Sequence, residues 1–265
     1  MKKYWSIIRN EIQRQFTYRI AIAAYAFGNI AELVALAIIW TVVYQSIEVV
    51  KGYNASEMIS YVVFAWFFSF LTTTYAFEAN VARDIHMGTL SNILVKPMGY
   101  LKYMMTVATG RIFVALLVVL IQVIIVFYFF WDKLIFSIDF PTALLLAAML
   151  VVSYLINLLL SILIGFIGFW TAEIAGIYLA LKIIKNFLSG FYFPINLLPA
   201  TLVKISLFFP FAYTAFIPIQ LYLGKISFAE GLRGLAVEIV WLVILYGIIK
   251  IVWRFGLKKY ESVGI

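Results

Sequence analysis

The sequence contains no cysteine, which excludes disulfide bonds and thiolate metal sites. It contains one histidine, His86, and no cluster of aspartate and glutamate replaces the missing ligands of a zinc or iron centre. Charged residues make up only 12% of the chain, about half the fraction found in a soluble globular domain. The composition therefore disfavours both metal or redox chemistry and a water-soluble fold.

Catalytic and nucleotide-binding motifs are also missing. Gly224-Lys225 would suit the end of a phosphate-binding loop, but Ile219 replaces the required first glycine and Ile226 replaces the hydroxyl residue. No G-x-S-x-G nucleophile motif occurs, and His86 has no evident serine partner. We therefore expect the chain not to be an enzyme and to bind no cofactor itself, and we interpret His86 as an ordinary loop histidine.

Apolar residues dominate what is present: 65% of the 265 residues are hydrophobic and 18% are aromatic, as in an integral membrane protein. The net charge of +8 comes from short basic clusters beside apolar runs, so we attribute it to a membrane and not to nucleic acid. The first apolar run, 20–44, exceeds the core of a signal peptide, about 7–15 residues, and predicts a permanent span.

An amphipathic helix is predicted for residues 1–19, before that first span. Its apolar side chains recur at helical spacing, while basic and polar side chains occupy its other faces. Such a helix lies on a lipid surface; a solvated basic tail is the alternative interpretation. The residues of the apolar face are Trp5, Ile8, Ile12 and Phe16.

Spans of about 20 apolar residues are clear at 20–45, 58–78, 110–131 and 141–170. Three further candidate spans follow: 174–193, 205–224 and 234–253. The first contains two lysines and the second contains two prolines. Lysine and arginine concentrate on the cytoplasmic side of membrane proteins. Both ends of the chain are basic, so an even number of spans is expected, and six spans place 15 of the 20 basic residues on that side.

Six spans leave residues 192–224 outside as a partly re-entrant region. Its prolines should break any straight helix, because proline lacks the amide hydrogen and clashes with the preceding turn. Gly190 should let helices approach closely there. The residues expected to form this external gate are Gly190, Pro194, Pro199, Pro210 and Pro218.

The same topology places the segment RDIHMGTLSNILVKPM, residues 83–98, in the cytoplasm. Thr89 would cap a short helix, and Lys96 before Pro97 would end it. Leu90, Ile93 and Leu94 would form one apolar face, which needs a partner. The alternative is that this face folds back onto the spans of the same chain or onto lipid headgroups.

Ionisable residues within the apolar runs are few. A charge at the centre of a span costs about 2.5–3.5 kcal/mol, so such a residue suggests function. Glu32, with Asn29 nearby, is therefore a candidate for the substrate path, or else for a hydrogen-bonded subunit interface. Glu78, Glu173 and Glu238 are expected near the ends of their spans.

Several of these features together resemble the permease subunits of type-2 ABC exporters. They are the six spans, the surface helix, the run from Ile85 to Pro97 and the segment FWTAE at 169–173, in which an alanine is inserted. FLSGFYFPINLLP and FPFAYTAFIPIQLYLGK extend the resemblance over about the last third of the chain. The implied fold is all-α: six transmembrane helices, an interfacial helix, a cytoplasmic coupling helix and broken external helices, in one permease domain, 1–265.

The resemblance also implies partners and a function. The coupling helix, 83–98, would dock on a separate ATPase subunit, present in two copies, that binds ATP and Mg. A second permease chain, identical or sister, would enclose the path of an amphipathic drug, peptide or lipid exported across a bacterial cytoplasmic membrane. A stand-alone secondary transporter or lipid flippase is the alternative, and an intramembrane enzyme a remoter one. The implied coupling residues are Arg83, Asp84, Ile85, Gly88, Thr89, Leu90, Ile93, Leu94, Lys96 and Pro97.

Overall fold

A computed structural model describes residues 2–74, 77–135 and 138–260, and these residues form an all-helical bundle. Short 3₁₀ segments at Trp131–Lys133, Ile167–Phe169, Ile195–Leu197 and Pro210–Thr214 join or extend the helices. The α-helices are α1 (Lys2–Thr17), α2 (Arg19–Val43), α3 (Ala55–Thr72), α4 (Phe77–His86), α5 (Thr89–Leu94), α6 (Tyr100–Phe130), α7 (Phe140–Phe166), α8 (Ala175–Ser189), α9 (Ala200–Phe208), α10 (Phe216–Tyr222) and α11 (Phe228–Lys259).

Within the part of the chain that the structure describes, five stretches are long and apolar enough to cross a membrane: Arg19–Val43, Ala55–His86, Tyr100–Phe130, Phe140–Phe169 and Phe228–Lys259. They correspond to the four clear predicted spans and the last one. The predicted fifth span, 174–193, is α8, whose 15 residues extend about 22 Å, less than the hydrocarbon core of about 30 Å. The pair Ala200–Phe208 and Pro210–Tyr222 is also apolar enough but is bent by 78°. Asn196, just before the pair, and Gln220, near its end, both bond to Tyr53, so the pair returns to the end at which it starts, as the predicted re-entrant region does.

Two spans begin at capping boxes, which fix where their helices start. At α3, the Asn54 side chain accepts a hydrogen bond from the Glu57 amide, and the Glu57 carboxylate accepts one from the Asn54 amide, both at 2.9 Å. At α11, Ser227 and Glu230 make the same reciprocal arrangement. Both helix starts lie at the same end of the bundle.

Both ends of the described chain meet the 83–98 segment at the other end, which we call the basic end. The ammonium of Lys3 donates to the carbonyl of Pro97 at 2.9 Å. The hydroxyls of Ser91 and Tyr260 lie 3.1 Å apart. The prediction that both ends of the chain share a side with this segment therefore agrees with the described residues; that the basic end faces the cytoplasm stays a prediction.

The opposite end, the capped end, is closed by contacts between residues 44–57 and 190–225. The hydroxyl of buried Tyr53 donates to Asn196 Oδ1 at 3.4 Å and accepts from the Gln220 side chain. Lys225 donates to the Gly52 carbonyl and to Glu57 Oε1, both at 2.8 Å. These bonds join two segments about 150 residues apart in sequence.

The largest apolar core joins α4, α5, α6, α7 and α11 near the basic end. Helices α4 and α7 approach most closely at Gly165, where an added Cβ would lie 2.5 Å from the Cβ of Val81. A second core, between α2, α3 and the residues around Phe191, lies toward the capped end. The bundle is thus packed at both ends, with α2 and α8 at its margin.

Candidate functional site

Helix α1 lies at the basic end and packs against α6; that it rests on a lipid surface stays a prediction. Trp5 and Phe16 are exposed, at 67% and 55%, while Ile8 and Ile12 are half-buried. The face turned inward instead carries Glu11, which is buried against α6 at Gly110. An added Cβ at Gly110 would lie 2.9 Å from the Glu11 Cβ, so this glycine permits the approach.

Glu11 is the centre of a charged network that the sequence alone did not reveal. Its Oε1 accepts hydrogen bonds from Arg111 at 2.9 Å and from Arg14 and Gln15 at 2.8 Å. Burial favours the neutral carboxyl, but Arg111, Gln15 and Arg14 outweigh it and lower the pKa of Glu11 below its usual value of 4.5. The network therefore fixes α1 to α6.

Acidification is expected to loosen α1. The pKa of Glu11 is lower in the folded protein than in the unfolded chain. Its ionised carboxylate therefore stabilises the fold fully at pH above the pKa of the unfolded state, and this stabilisation is lost as the pH falls through the pKa of the folded state. Thermal unfolding in nanodiscs at pH 7 and near pH 4 should show this loss, and Glu11→Gln should be less stable at pH 7 and less sensitive to pH. Equal pH dependence in both proteins would contradict the assignment.

The turn between α4 and α5 differs from the predicted cap. Gly88 holds the N-cap position with a left-handed φ of 72°, and no side chain caps the helix there. Thr89 is the first helical residue, and its hydroxyl donates to the carboxylate of Asp84 at 3.0 Å. Thr89 is therefore not the cap, because a left-handed glycine reverses the chain one residue earlier. Asp84 also accepts from Tyr100 at 3.3 Å.

The apolar face of α5 is turned into the bundle. This corrects the prediction that the face is exposed and binds a partner. Leu90 is 0% exposed and Ile93 is 6% exposed, both within the core near the basic end. Ile85 is buried in the same core. Of the three residues predicted to face outward, only Leu94 is exposed, at 42%. The alternative interpretation, that the segment folds onto its own spans, is thus correct for Leu90 and Ile93.

A different set of side chains is exposed at this segment. Val95, which follows Leu94, is 84% exposed, and Met87, which precedes α5, is 66% exposed. Helix α5 ends at Leu94, before the predicted stop, and Lys96 and Pro97 are exposed. The outward apolar surface of the segment, which we call the loop surface, consists of Met87, Leu94 and Val95.

His86 is also placed differently from the prediction of an ordinary loop residue. It ends α4, and its Nε2 lies 3.0 Å from the carbonyl oxygens of Gly168 and Thr171. Arg83, one helical turn earlier, is exposed and donates to Asn80. His86 thus attaches the 83–98 segment to the end of α7.

A cavity of about 420 Å³ lies between α2, α3, α7 and α8. Its wall combines aromatic side chains with polar ones at the level of the predicted spans. A vestibule of about 660 Å³ at the basic end reaches Arg83, His86 and Glu173. The cavity and the vestibule adjoin one another, because they share four lining residues: Tyr25, Glu78, Tyr178 and Lys182.

Asn29 and Glu32, the predicted polar pair of the first span, both line this cavity. The carbonyl of Asn29 accepts a hydrogen bond from the Trp66 indole at 2.8 Å, while its buried side-chain nitrogen has no partner within the described residues. The structure brings to them Lys182 and Lys185 of α8, which the sequence showed only as the two lysines of the candidate span 174–193. Their spacing of three residues, on one helix face, was the available signal.

Two of the acids expected near span ends are buried. Glu78 is 3% exposed and lines the cavity. Glu238 is fully buried within α11, where Oε1 accepts from the Ser153 hydroxyl at 2.6 Å and Oε2 has no partner within the described residues. Among those residues, no three histidine, aspartate or glutamate side chains are grouped as a metal site.

Two of the predicted gate residues, Gly190 and Pro194, lie at the capped end, whereas Pro210 lies between Phe209 and Phe211, which line the cavity. Gly190 ends α8 with a φ of 80°, and its carbonyl accepts a hydrogen bond from the buried Tyr61 hydroxyl at 2.6 Å. Pro194 and Pro199 precede short helices, and Pro210 starts the segment after the 78° bend. Pro218 does not break a helix, because it lies in the first turn of α10, where proline is tolerated.

Comparison with known proteins gives one family. The family model described as ABC-2 family transporter protein matches residues 30–264, which is most of the chain. No curated protein and no solved structure gives a significant match.

Proposed function

Because the chain belongs to the ABC-2 transporter family, whose members are membrane components of ABC transporters, we propose that it is the permease subunit of an ATP-driven exporter. The observation that carries this proposal is the cavity together with the vestibule that adjoins it. That space opens at the basic end, while the contacts of Tyr53, Tyr61 and Lys225 cover the capped end. A transporter in a conformation that is open to one side of the membrane has this arrangement.

The basic end is assigned to the cytoplasm, since lysine and arginine concentrate on that side of a membrane. Loading from this end and release past the capped end is export. The site then belongs to a multi-pass protein of a bacterial cytoplasmic membrane. The mixed aromatic and polar wall of the cavity suits an amphipathic substrate.

A second permease chain, identical or sister, would cover α8 and α2. Nearly every residue of α8 from 175 to 184 is exposed, including Lys182, and α2 buries only Leu33 and Ala37. A lysine at membrane depth is costly against hydrocarbon and is found facing protein or a water-filled cavity. The exposed face of α8 therefore favours a partner helix over lipid.

The energy source would be a separate ATPase subunit, in two copies, that binds ATP and Mg. The loop surface, Met87, Leu94 and Val95, is the exposed apolar patch of the segment that the family resemblance assigns to coupling. His86 and Leu90 fix this segment to α7 and to the core. Movement of the segment would therefore be passed to α4 and α7, which line the vestibule and the cavity.

The test uses proteoliposomes with and without a partner ABC ATPase subunit. An amphipathic fluorescent probe should move across the membrane only when the ATPase, ATP and Mg are present on the basic side. A catalytically inactive ATPase is the matched control. Transport by the permease alone, driven by a proton gradient, would instead identify a secondary transporter, and probe movement without any energy source would identify a passive flippase.

A further inference from the structure

Among the described residues that line the cavity, four carry a charge, two of each sign. Glu32 comes from α2 and Glu78 from α4, while Lys182 and Lys185 come from α8. Lys185 is partly buried, and its ammonium donates to Asn157 Oδ1 at 3.0 Å, the neutral acceptor beside it. The cavity is therefore formally neutral but strongly polar.

The opposite charges attract one another across the cavity without touching. Glu32 interacts electrostatically with Lys182, and Glu78 with Lys185. Neither ammonium comes within 4.0 Å of either carboxylate. In the described part of the chain, the ion pairs within that distance are made by Glu11 and Glu57 instead. No donor in the described residues contacts the Glu32 carboxylate, so it is open to the cavity.

Charges separated in this way are costly once the site is closed from water. Ionisable side chains within membranes are usually paired with each other or with a ligand, because hydrocarbon and protein screen them poorly. A carboxylate on one wall and an ammonium on the other are complementary to a group that carries both signs. A purely anionic group would pair with the ammonium on one wall and be repelled by the carboxylate on the other. For a purely cationic group the two walls exchange these roles.

We propose that the cavity binds an amphipathic molecule with a zwitterionic head, its anionic group on Lys185 and its cationic group on Glu32. The inference rests on the proposed permease function and names the substrate class of that site. The apolar part of the molecule would lie along the aromatic wall, which also offers ring faces to a cation. That wall comprises Trp66, Phe70, Tyr178, Phe191, Phe209 and Phe211.

The test measures binding in the full chain in nanodiscs, without any ATPase, so its failure is distinct from a failure of the transport assay. The chain has no cysteine, so Leu181→Cys, at an exposed cavity residue, gives a single labelling site. The probes share one twelve-carbon tail: dodecylphosphocholine, dodecyl phosphate, dodecyltrimethylammonium and dodecyl maltoside, each below its micelle concentration. Leu232→Cys, which does not line the cavity, controls for general effects on labelling.

Dodecylphosphocholine should slow labelling of Leu181→Cys at the lowest concentration and leave Leu232→Cys unchanged. Phosphocholine without the tail should protect weakly. Adding Lys185→Met should raise the half-protecting concentration of dodecylphosphocholine about tenfold, which corresponds to about 1.4 kcal/mol, and make the cationic probe the better ligand. Adding Glu32→Gln should instead favour the anionic probe.

Three results would overturn the proposal. They are equal protection by all four tailed probes, equal protection by phosphocholine alone, and an unchanged probe order in both charge variants. Thermal unfolding of each variant checks that it is folded. If Lys185→Met does not fold, the exposed Lys182→Met replaces it, and together with Glu32→Gln it must shift the probe order in the same directions.

Discussion

Replacing Gly190 with leucine is expected to remove most of the folded protein. Gly190 has a φ of 80°, and an added Cβ would lie 2.5 Å from the Tyr61 hydroxyl. A side chain in the left-handed region costs about 1–2 kcal/mol, and overpacking a buried site costs typically about 1–3 kcal/mol. Both penalties act together, and they also displace the hydrogen bond from Tyr61 to the Gly190 carbonyl. Folded yield and thermal stability in mild detergent are the measurements.

Gly176→Leu is the matched control, because it lies on the same helix and a Cβ there meets no atom within 4 Å. It should fold like the wild type. Gly190→Ala should be intermediate, since it keeps both the clash and the strain but adds less volume. If Gly190→Leu were as stable as Gly176→Leu, the capped end would not be closed at this contact.

The second large effect is expected at the loop surface. Leu94→Asp with Val95→Asp should abolish co-purification of the ATPase subunit while the permease still folds. Burying an aliphatic side chain is worth about 1.5–3 kcal/mol, and a carboxylate adds a desolvation cost. The loss from two positions should therefore weaken the complex about a hundredfold or more, at about 1.4 kcal/mol for each tenfold change.

Two controls separate docking from folding. Val49→Asp places the same charge on a valine of 57% exposure at the capped end and should retain the ATPase. Leu90→Asp puts a carboxylate into the core at a fully buried residue, so it should reduce folded permease instead of selectively releasing the ATPase. Retention of the ATPase at wild-type stoichiometry by the Leu94 and Val95 double variant would show that this surface is not the docking site.

Long apolar runs predicted the helices well, because a segment in lipid must satisfy its own backbone hydrogen bonds. The same runs did not predict the length of α8. Its helix ends at Gly190, in the left-handed conformation, and starts only at Ala175, so fewer residues cross than hydropathy suggests. Prolines predicted the breaks at Pro199 and Pro210 but not the helical position of Pro218, because the effect of proline depends on its place within the helix.

Periodicity showed that Leu90, Ile93 and Leu94 share apolar character, but not which side of the helix the bundle would cover. That choice is made by α4, α6, α7 and α11, whose core accepts Leu90 and Ile93 and leaves Leu94 outside.

The candidate site was also predicted only in part, because part of it comes from segments that are distant in sequence. Asn29 and Glu32 were recognised because a charge in a span is costly, whereas their neighbours Lys185 and Asn157 come from distant segments that only the fold brings together.

The central claim is that the cavity is a transport path whose access is controlled by an ATPase at the basic end. The most direct measurement is the labelling rate of Leu181→Cys by a membrane-impermeant thiol reagent added at that end, in vesicles that contain the permease with its ATPase. The rate should be high without nucleotide and should fall when ATP, Mg and vanadate trap the ATPase. An unchanged rate under trapping, with the ATPase bound and hydrolysing ATP beforehand, would contradict the account.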